Sequence, residues 1–259
     1  MKGKAIIKRY SALLIQGGRT QKVKDWVAVE GSYELYLNDT LVDAIVVSPS
    51  DLKAHALGYV VTEGLVKPEE VGEVRQRGGR VFVRTRRTTG DGLSKTVLRS
   101  SAYRGSDGAS ITPIATAVTV LPSLIVQCAR QITEQAANWK KTGGVHISLL
   151  FNLEGDLIKA AEDIGRHNSV DKVVGYALLH TVPLHETILA CSGRQPEGMV
   201  LKAARARIPI VLTKAAVTDK GIEQAERLGV TLIGFARADR FTIYAHPERI
   251  QVVLSRQIR

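Results

Sequence analysis

Period-two alternation of apolar and polar side chains marks the first third of the chain. Residues 26–30, 33–37 and 41–47 alternate in this way, and Gly31-Ser32 and Asn38-Asp39 supply turns between them, which predicts a three-stranded meander. Ser48-Pro49-Ser50-Asp51 then predicts a helix start, with Ser48 as N-cap, Pro49 at the first helical position and Asp51 completing a capping box. Leu52, Ala56, Tyr59 and Val60 would be its inward face and Gly64 its end. Alternation returns at residues 80–85, where Val81 and Val83 share one face and Arg80, Phe82 and Arg84 the other. Residues 1–25 lack a sustained pattern and are expected to form a loosely attached arm.

Downstream the period lengthens. Leu124, Cys128, Ile132 and Ala136, four apart, predict a helix over residues 123–139. Strands are expected at 145–151 and 156–161, joined by Glu154-Gly155, and Val170, Val173, Val174, Ala177 and Leu178 make one face of a following helix. A strand at 187–191, a helix after Pro196, a strand at 209–213, a helix from Thr218 and a strand at 230–236 complete an α/β pattern with helices packed on a sheet. The expected division is an arm over residues 1–25, a smaller β-rich α+β N-terminal domain with one helix over 26–100, and a larger α/β domain over 101–259.

The densest chemistry is the stretch Glu162-Asp163-Ile164-Gly165-Arg166-His167-Asn168-Ser169-Val170-Asp171-Lys172. Asn168 is the expected N-cap, with Asp171 completing an approximate capping box. Free N–H groups there, beside Arg166, His167 and Lys172, suit an anion; an ion-pair network around a cap would use the same residues. Three strand ends carry further candidate ligand groups: Ser192, Gly193 and Arg194 after Cys191; Lys214 through Thr218; and Phe235, Ala236, Arg237, Ala238, Asp239 and Arg240. Ligands of open α/β sheets bind at the carboxyl ends of strands, and cations at several ends suit a multiply charged phosphate. Taken singly, each segment also reads as a turn or a cap.

The chain has 259 residues, 44% of them apolar, enough to bury a core, and 36 Lys plus Arg against 25 Asp plus Glu give a net charge of +11. Residues 75–104 hold nine of those cations against Asp91 alone, as a solvated hairpin or a docking surface for a polyanion would. Phe82 is the single aromatic there before Tyr103, so nucleic acid is not the expected partner. Cys128 and Cys191 make neither a disulfide framework nor a Cys-x-x-Cys motif, consistent with the cytoplasm. The apolar run at 12–15 is too short for a secretory signal, and Pro113 and Pro122 interrupt the uncharged run 108–129, which reads as loop and buried helix and not as a membrane span. Zinc deamination needs Cys-x-x-Cys beside a His-x-Glu; Cys-x-x-Cys is missing, and no protein-bound metal is expected.

Thr62-Glu63-Gly64, Thr142-Gly143-Gly144-Val145-His146, the 162–172 stretch, Ser192-Gly193-Arg194 and Gly234-Phe235-Ala236-Arg237 stand in the order of a known family. Through them the chain resembles the FdhD family of formate dehydrogenase accessory proteins over residues 27–253. The resemblance implies a cytoplasmic homodimer whose larger domain is a cytidine deaminase-like α/β/α sandwich. It also implies formate dehydrogenase and cysteine desulfurase as partners, with sulfur carried to Mo-bis(molybdopterin guanine dinucleotide). That cofactor, or a guanine nucleotide such as GDP, would lie on the three strand ends named above with Arg166 and His167. One departure is consequential: the family's sulfur-carrying Cys-Gly-x-Cys-Gly loop aligns with Arg104-Gly105-Ser106-Asp107-Gly108, and neither Arg104 nor Asp107 can form a persulfide. Three readings follow: sulfur transfer through Cys191, cofactor binding without the persulfide step, and polyanion binding by residues 75–104.

Overall fold

The computed structural model describes residues 5–86 and 111–251, so Arg104, Asp107 and most of the basic segment lie outside the described residues. Ile7–Gln16 (β1) and Arg19–Ala28 (β2), which span most of the stretch read as a loosely attached arm, form a regular antiparallel hairpin paired over ten positions. Its turn is Gly17-Gly18, both with positive φ, the backbone a two-residue hairpin turn requires. Trp26 belongs to β2 and not to the meander.

Gly31–Leu37 (β3), Thr40–Val47 (β4), Val71–Arg77 (β5) and Arg80–Thr85 (β6) make a sheet of order β4-β3-β6-β5. Tyr33, Leu35, Leu37, Val81 and Val83 point to one face, which Leu52–Thr62 (α1) covers. The opposite face is polar: Arg80 pairs with Glu34 at 2.8 Å, Arg84 with Asp39 at 3.0 Å, and Tyr36 stacks on Phe82. α1 starts differently from expectation. Its N-cap is Asp51, in left-handed backbone with no side-chain cap bond, while the Ser48 hydroxyl accepts from the Ile164 N–H.

The larger sheet has the order β12-β11-β10-β9-β7-β8. Its strands are His146–Asn152 (β7), Leu157–Asp163 (β8), Thr187–Cys191 (β9), Ile210–Thr213 (β10), Thr231–Gly234 (β11) and Thr242–Ala245 (β12). β9, β10 and β11 are parallel neighbours, and their apolar runs are buried throughout, as strands covered on both faces must be. Arg166–Leu179 (α4), Glu197–Arg205 (α5) and Asp219–Leu228 (α6) pack a core on one face. Pro122–Glu134 (α2) packs Ile125, Cys128, Ala129 and Ile132 on the other, giving three layers. The helix expected over 123–139 therefore ends early, and a separate short helix, Trp139–Thr142 (α3), follows it.

The two sheets meet through α1 and α4. A Cβ on Gly58 would lie 1.8 Å from the Asp171 carbonyl oxygen, and one on Gly175 would lie 1.7 Å from that of Ala54. Backbone thus rests on backbone, which only glycine permits. Buried charges surround this crossing. Asp163 and Lys172 pair at 2.6 Å, and Lys202 meets Glu63 at 2.7 Å and Asp171 at 2.8 Å.

Candidate functional site

Strand direction places the candidate segments on one edge. β8, β9, β10 and β11 all end there and β7 begins there, because β7 runs antiparallel to both β8 and β9. His146, the turn after Asp163, Ser192 to Arg194, Lys214 and Phe235 to Arg240 therefore follow one another along a single rim.

The turn after β8 is fixed by Asp163. Its buried carboxylate accepts from the backbone N–H of Ser48 (3.0 Å) and Gly165 (2.9 Å), from Asn168 Nδ2 (2.9 Å) and from Lys172 Nζ. Lys172 also donates to the Ser48 carbonyl at 3.0 Å, so its charge is consumed inside the protein and is not offered to an anion. α4 begins at Arg166 with Gly165 as N-cap, which corrects the assignment of Asn168 as the cap. The Asn168 amide ties Asp163 to the Val46 carbonyl instead. Asp171 completes no capping box; it is buried against Thr62 and Lys202.

Two side chains of the turn keep unsatisfied atoms: Arg166 Nε and His167 Nδ1 are buried without a hydrogen-bond partner. Buried donors are almost always paired, so an orphaned guanidinium N–H at a sheet edge marks a place for an acceptor. Burial, with the charges of Lys202, Arg166 and His146, pushes the His167 pKa down to about 3, so its imidazole is neutral near pH 7 and binds no anion as imidazolium. His146 is lowered too, by burial and then by Arg166.

Arg166 lies against Gly193, where an added Cβ would come within 3.0 Å of the Arg166 Cβ and 3.4 Å of His146 Nδ1. Ser192 Oγ accepts from the Ile147 N–H at 3.0 Å and sits 3.4 Å from His146 Nδ1. The Gly193 carbonyl accepts from Thr213 Oγ1 at 2.6 Å, and Arg237 Nη1 donates to the Lys214 carbonyl at 2.5 Å, so successive strand-end loops brace one another. Lys214 donates to Thr133 Oγ1, and burial followed by the Arg237 charge lowers its pKa. Thr218 is used up as the N-cap of α6, accepting from the Gly221 N–H. Arg194, Phe235, Ala238, Asp239 and Arg240 are exposed, while Ala236 is buried.

His146, Ser192 and Lys214 line a cavity of about 390 Å³ with Trp139, Gly143-Gly144 and the apolar side chains of Ile132, Val145 and Ile164. That volume suits one small ligand or one nucleotide-sized part of a larger one. Trp139 is 47% exposed at this cavity, and its helix is capped from a distance by Glu162, which accepts from the N–H groups of Asn138 and Trp139. Neither Trp139 nor His146 was among the residues singled out as ligands. The signal for His146 was the glycine pair just before it; a lone tryptophan ending an amphipathic run gave none.

Both thiols are sealed away from this rim. Burial pushes Cys128 up to about 12 and Cys191 up to about 11. The Cys191 sulfur faces Ser148 Oγ at 3.6 Å in the core.

Known proteins match most of the chain. The sequence profile of the FdhD/NarQ family matches residues 28–251. Protein FdhD of Methanocaldococcus jannaschii is 32% identical over 239 residues, covering 92% of this chain and 96% of that protein. A protein named sulfur carrier protein FdhD from Wolinella succinogenes is 34% identical over 240 residues, covering 88% and 84%. The crystal structure of a putative formate dehydrogenase accessory protein from Desulfotalea psychrophila superposes with a TM-score of 0.82 at 29% identity, covering 95% of this chain and 100% of that one. The rim built by His146, Arg166, Ser192 and Lys214 thus belongs to a member of the FdhD/NarQ family.

Proposed function

We propose that this chain is a formate dehydrogenase accessory protein that holds a guanine-containing cofactor, Mo-bis(molybdopterin guanine dinucleotide) or a guanine nucleotide such as GDP, without carrying sulfur on a cysteine of its own. The observation that carries this reading is the unpaired Arg166 Nε beside Gly193, on the rim that also carries Arg237 and, lining the cavity, Lys214. A guanidinium N–H with no acceptor, packed against the Gly193 backbone, and two further cations suit the oxygens of a pyrophosphate. Trp139 offers an aromatic face for a planar base. Bound cofactor would supply the redox chemistry of the client enzyme; the chain's part is to grip its phosphates and keep the ring system out of water.

The sulfur step is left out for chemical reasons. With a pKa near 11, on the order of one Cys191 thiol in ten thousand is ionised at pH 7, and the thiolate is the form that takes up sulfur. The polyanion reading is weaker where it is described: Arg75, Arg80 and Arg84 are each paired with a carboxylate, which cancels much of the field of that segment.

Titration calorimetry with GDP and ADP tests the proposal. GDP is expected to bind with a preference over ADP, and Arg166→Ala and Arg237→Ala each to weaken it at least tenfold, as removal of a charge-assisted phosphate contact does at about 1.5–3 kcal/mol. Absence of GDP binding, or unchanged affinity in Arg166→Ala, would remove the rim from the function.

A further inference from the structure

We infer that the β1–β2 hairpin is a docking strand for an extended acidic segment of a partner protein, which would pair along the outer edge of β1.

The hairpin buries almost nothing. Tyr10, Leu13, Leu14, Ile15 and Val27 are 51%, 65%, 43%, 73% and 43% exposed. Two strands alone are marginal in water, and these bring their own aliphatic side chains into it. Among the described residues β1 pairs with β2 alone, which leaves its other edge as a row of unmatched N–H and C=O groups. Proteins commonly guard such edges with charge or proline. The outer half of β1, Ser11-Ala12-Leu13-Leu14-Ile15-Gln16, carries neither.

Charge selects the occupant. Lys8, Arg9, Arg19, Lys22 and Lys24 stand against Asp25 alone, and register sets Lys22 opposite Leu13 and Lys24 opposite Ser11. An incoming strand that alternates carboxylates with apolar side chains would gain ladder hydrogen bonds from β1, apolar contact with Leu13 and Ile15, and attraction to the lysines of β2. A second copy of this chain would bring these cations no carboxylates but its own Asp25, the one acidic residue of the hairpin. Lipid would leave the open edge unsatisfied in hydrocarbon. Nucleic acid would find its stacking faces taken, because the Trp26 ring is covered by Arg9 at 4.7 Å and Lys141 at 5.6 Å and the Tyr10 ring by Lys8 at 5.4 Å.

The hairpin base also touches the cavity wall. Lys141 belongs to α3, and a Cβ on Gly144 would sit 3.2 Å from the Ala28 Cβ, so the Ile7 end of β1 is the end near Gly143-Gly144, and residues 11–16 project away from it.

A ten-residue fluorescent peptide alternating glutamate with valine, and its lysine counterpart, provide the test by anisotropy on the full chain. The glutamate peptide is expected to bind and the lysine peptide not. Leu13→Ser with Ile15→Ser should weaken binding at least tenfold. Lys22→Glu with Lys24→Glu should exchange the preference, losing the glutamate peptide and gaining the lysine one, a gain that misfolding cannot mimic. Equal binding of both peptides, binding of neither, or affinity unchanged in the hairpin variants would overturn the inference. So would retention on phosphatidylglycerol vesicles, RNA binding or self-association that the same variants abolish. GDP plays no part in this measurement, so its outcome is independent of the nucleotide test.

Discussion

Lys202 Nζ lies 2.8 and 3.0 Å from the two carboxylate oxygens of Asp171, with neither residue open to solvent. Glu63 supplies a second carboxylate at 2.7 Å and Thr62 Oγ1 a fourth contact at 2.9 Å. Burial works against the ammonium, but Asp171 and Glu63 outweigh it and raise the Lys202 pKa, so the lysine stays charged. Lys202→Met keeps the volume and strands two carboxylates. Its expected cost is about 3–5 kcal/mol in urea unfolding, the range for breaking a buried ion pair. A loss under 1 kcal/mol would mean that water replaces the lysine.

The glycine crossing gives a second test. Gly58→Ala and Gly175→Ala each force a methyl group into a carbonyl oxygen of the facing helix, and each should cost about 3 kcal/mol or more, beyond ordinary overpacking. Gly79→Ala, with nothing within 4 Å of the new carbon, should stay within about 0.5 kcal/mol of wild type. Thermal unfolding of the three variants separates steric contact from loss of glycine as such.

Acid should destabilise the protein through its histidines. His55 and His167 are both pushed down to about 3, chiefly by burial, against about 6.5 in an unfolded chain. Below that value the unfolded chain takes up protons that the folded one refuses. Stability is therefore full above about pH 6.5 and falls as the pH drops towards 3, by up to about 1.4 kcal/mol per pH unit for each histidine. Urea midpoints between pH 7.5 and 5 should show this fall, and His167→Gln should make it shallower; a slope unaltered by the substitution would contradict the burial of His167.

Sulfur transfer has a direct readout. After incubation with a cysteine desulfurase and cysteine, intact mass is expected to show no added sulfur on the wild-type chain. A sulfur adduct that disappears in Cys191→Ser would restore the relay through that thiol. Arg104→Cys with Asp107→Cys tests the converse, namely whether sulfur acceptance returns with the thiols.

Much of the larger sheet was legible because its elements are bounded by strong local signals. The strand at 187–191, the cap at Thr218 and the burial of Cys128 follow from period and capping chemistry, as does, in the smaller sheet, the placing of Val81 and Val83 on one face. The hairpin was missed although Gly17-Gly18 is a turn signal, because Ala12 to Ile15 is a continuous apolar run and an exposed ribbon needs no alternation. The start of α4 was misplaced for a different reason. Asn168 and Asp171 have the residue types of a cap, but partners outside the helix, Val46 and Asp163 for one, Thr62 and Lys202 for the other, claim them. Clustering of Arg166, Ser192 and Lys214 on one edge follows from strand direction, whereas the participation of Trp139 depends on how α3 is hung from Glu162, which no local pattern encodes.

The contact of Gly58 and Gly175 also limits how the molecule can move. Helices that touch through side chains can slide past one another by exchanging rotamers; α1 and α4 touch through main chain and have no such slack. With buried ion pairs on either side of the crossing, the two sheets form a fixed joint and not a hinge. A ligand entering the cavity would then be admitted by the loops at the rim, with displacements of a few side chains instead of a rotation of lobes.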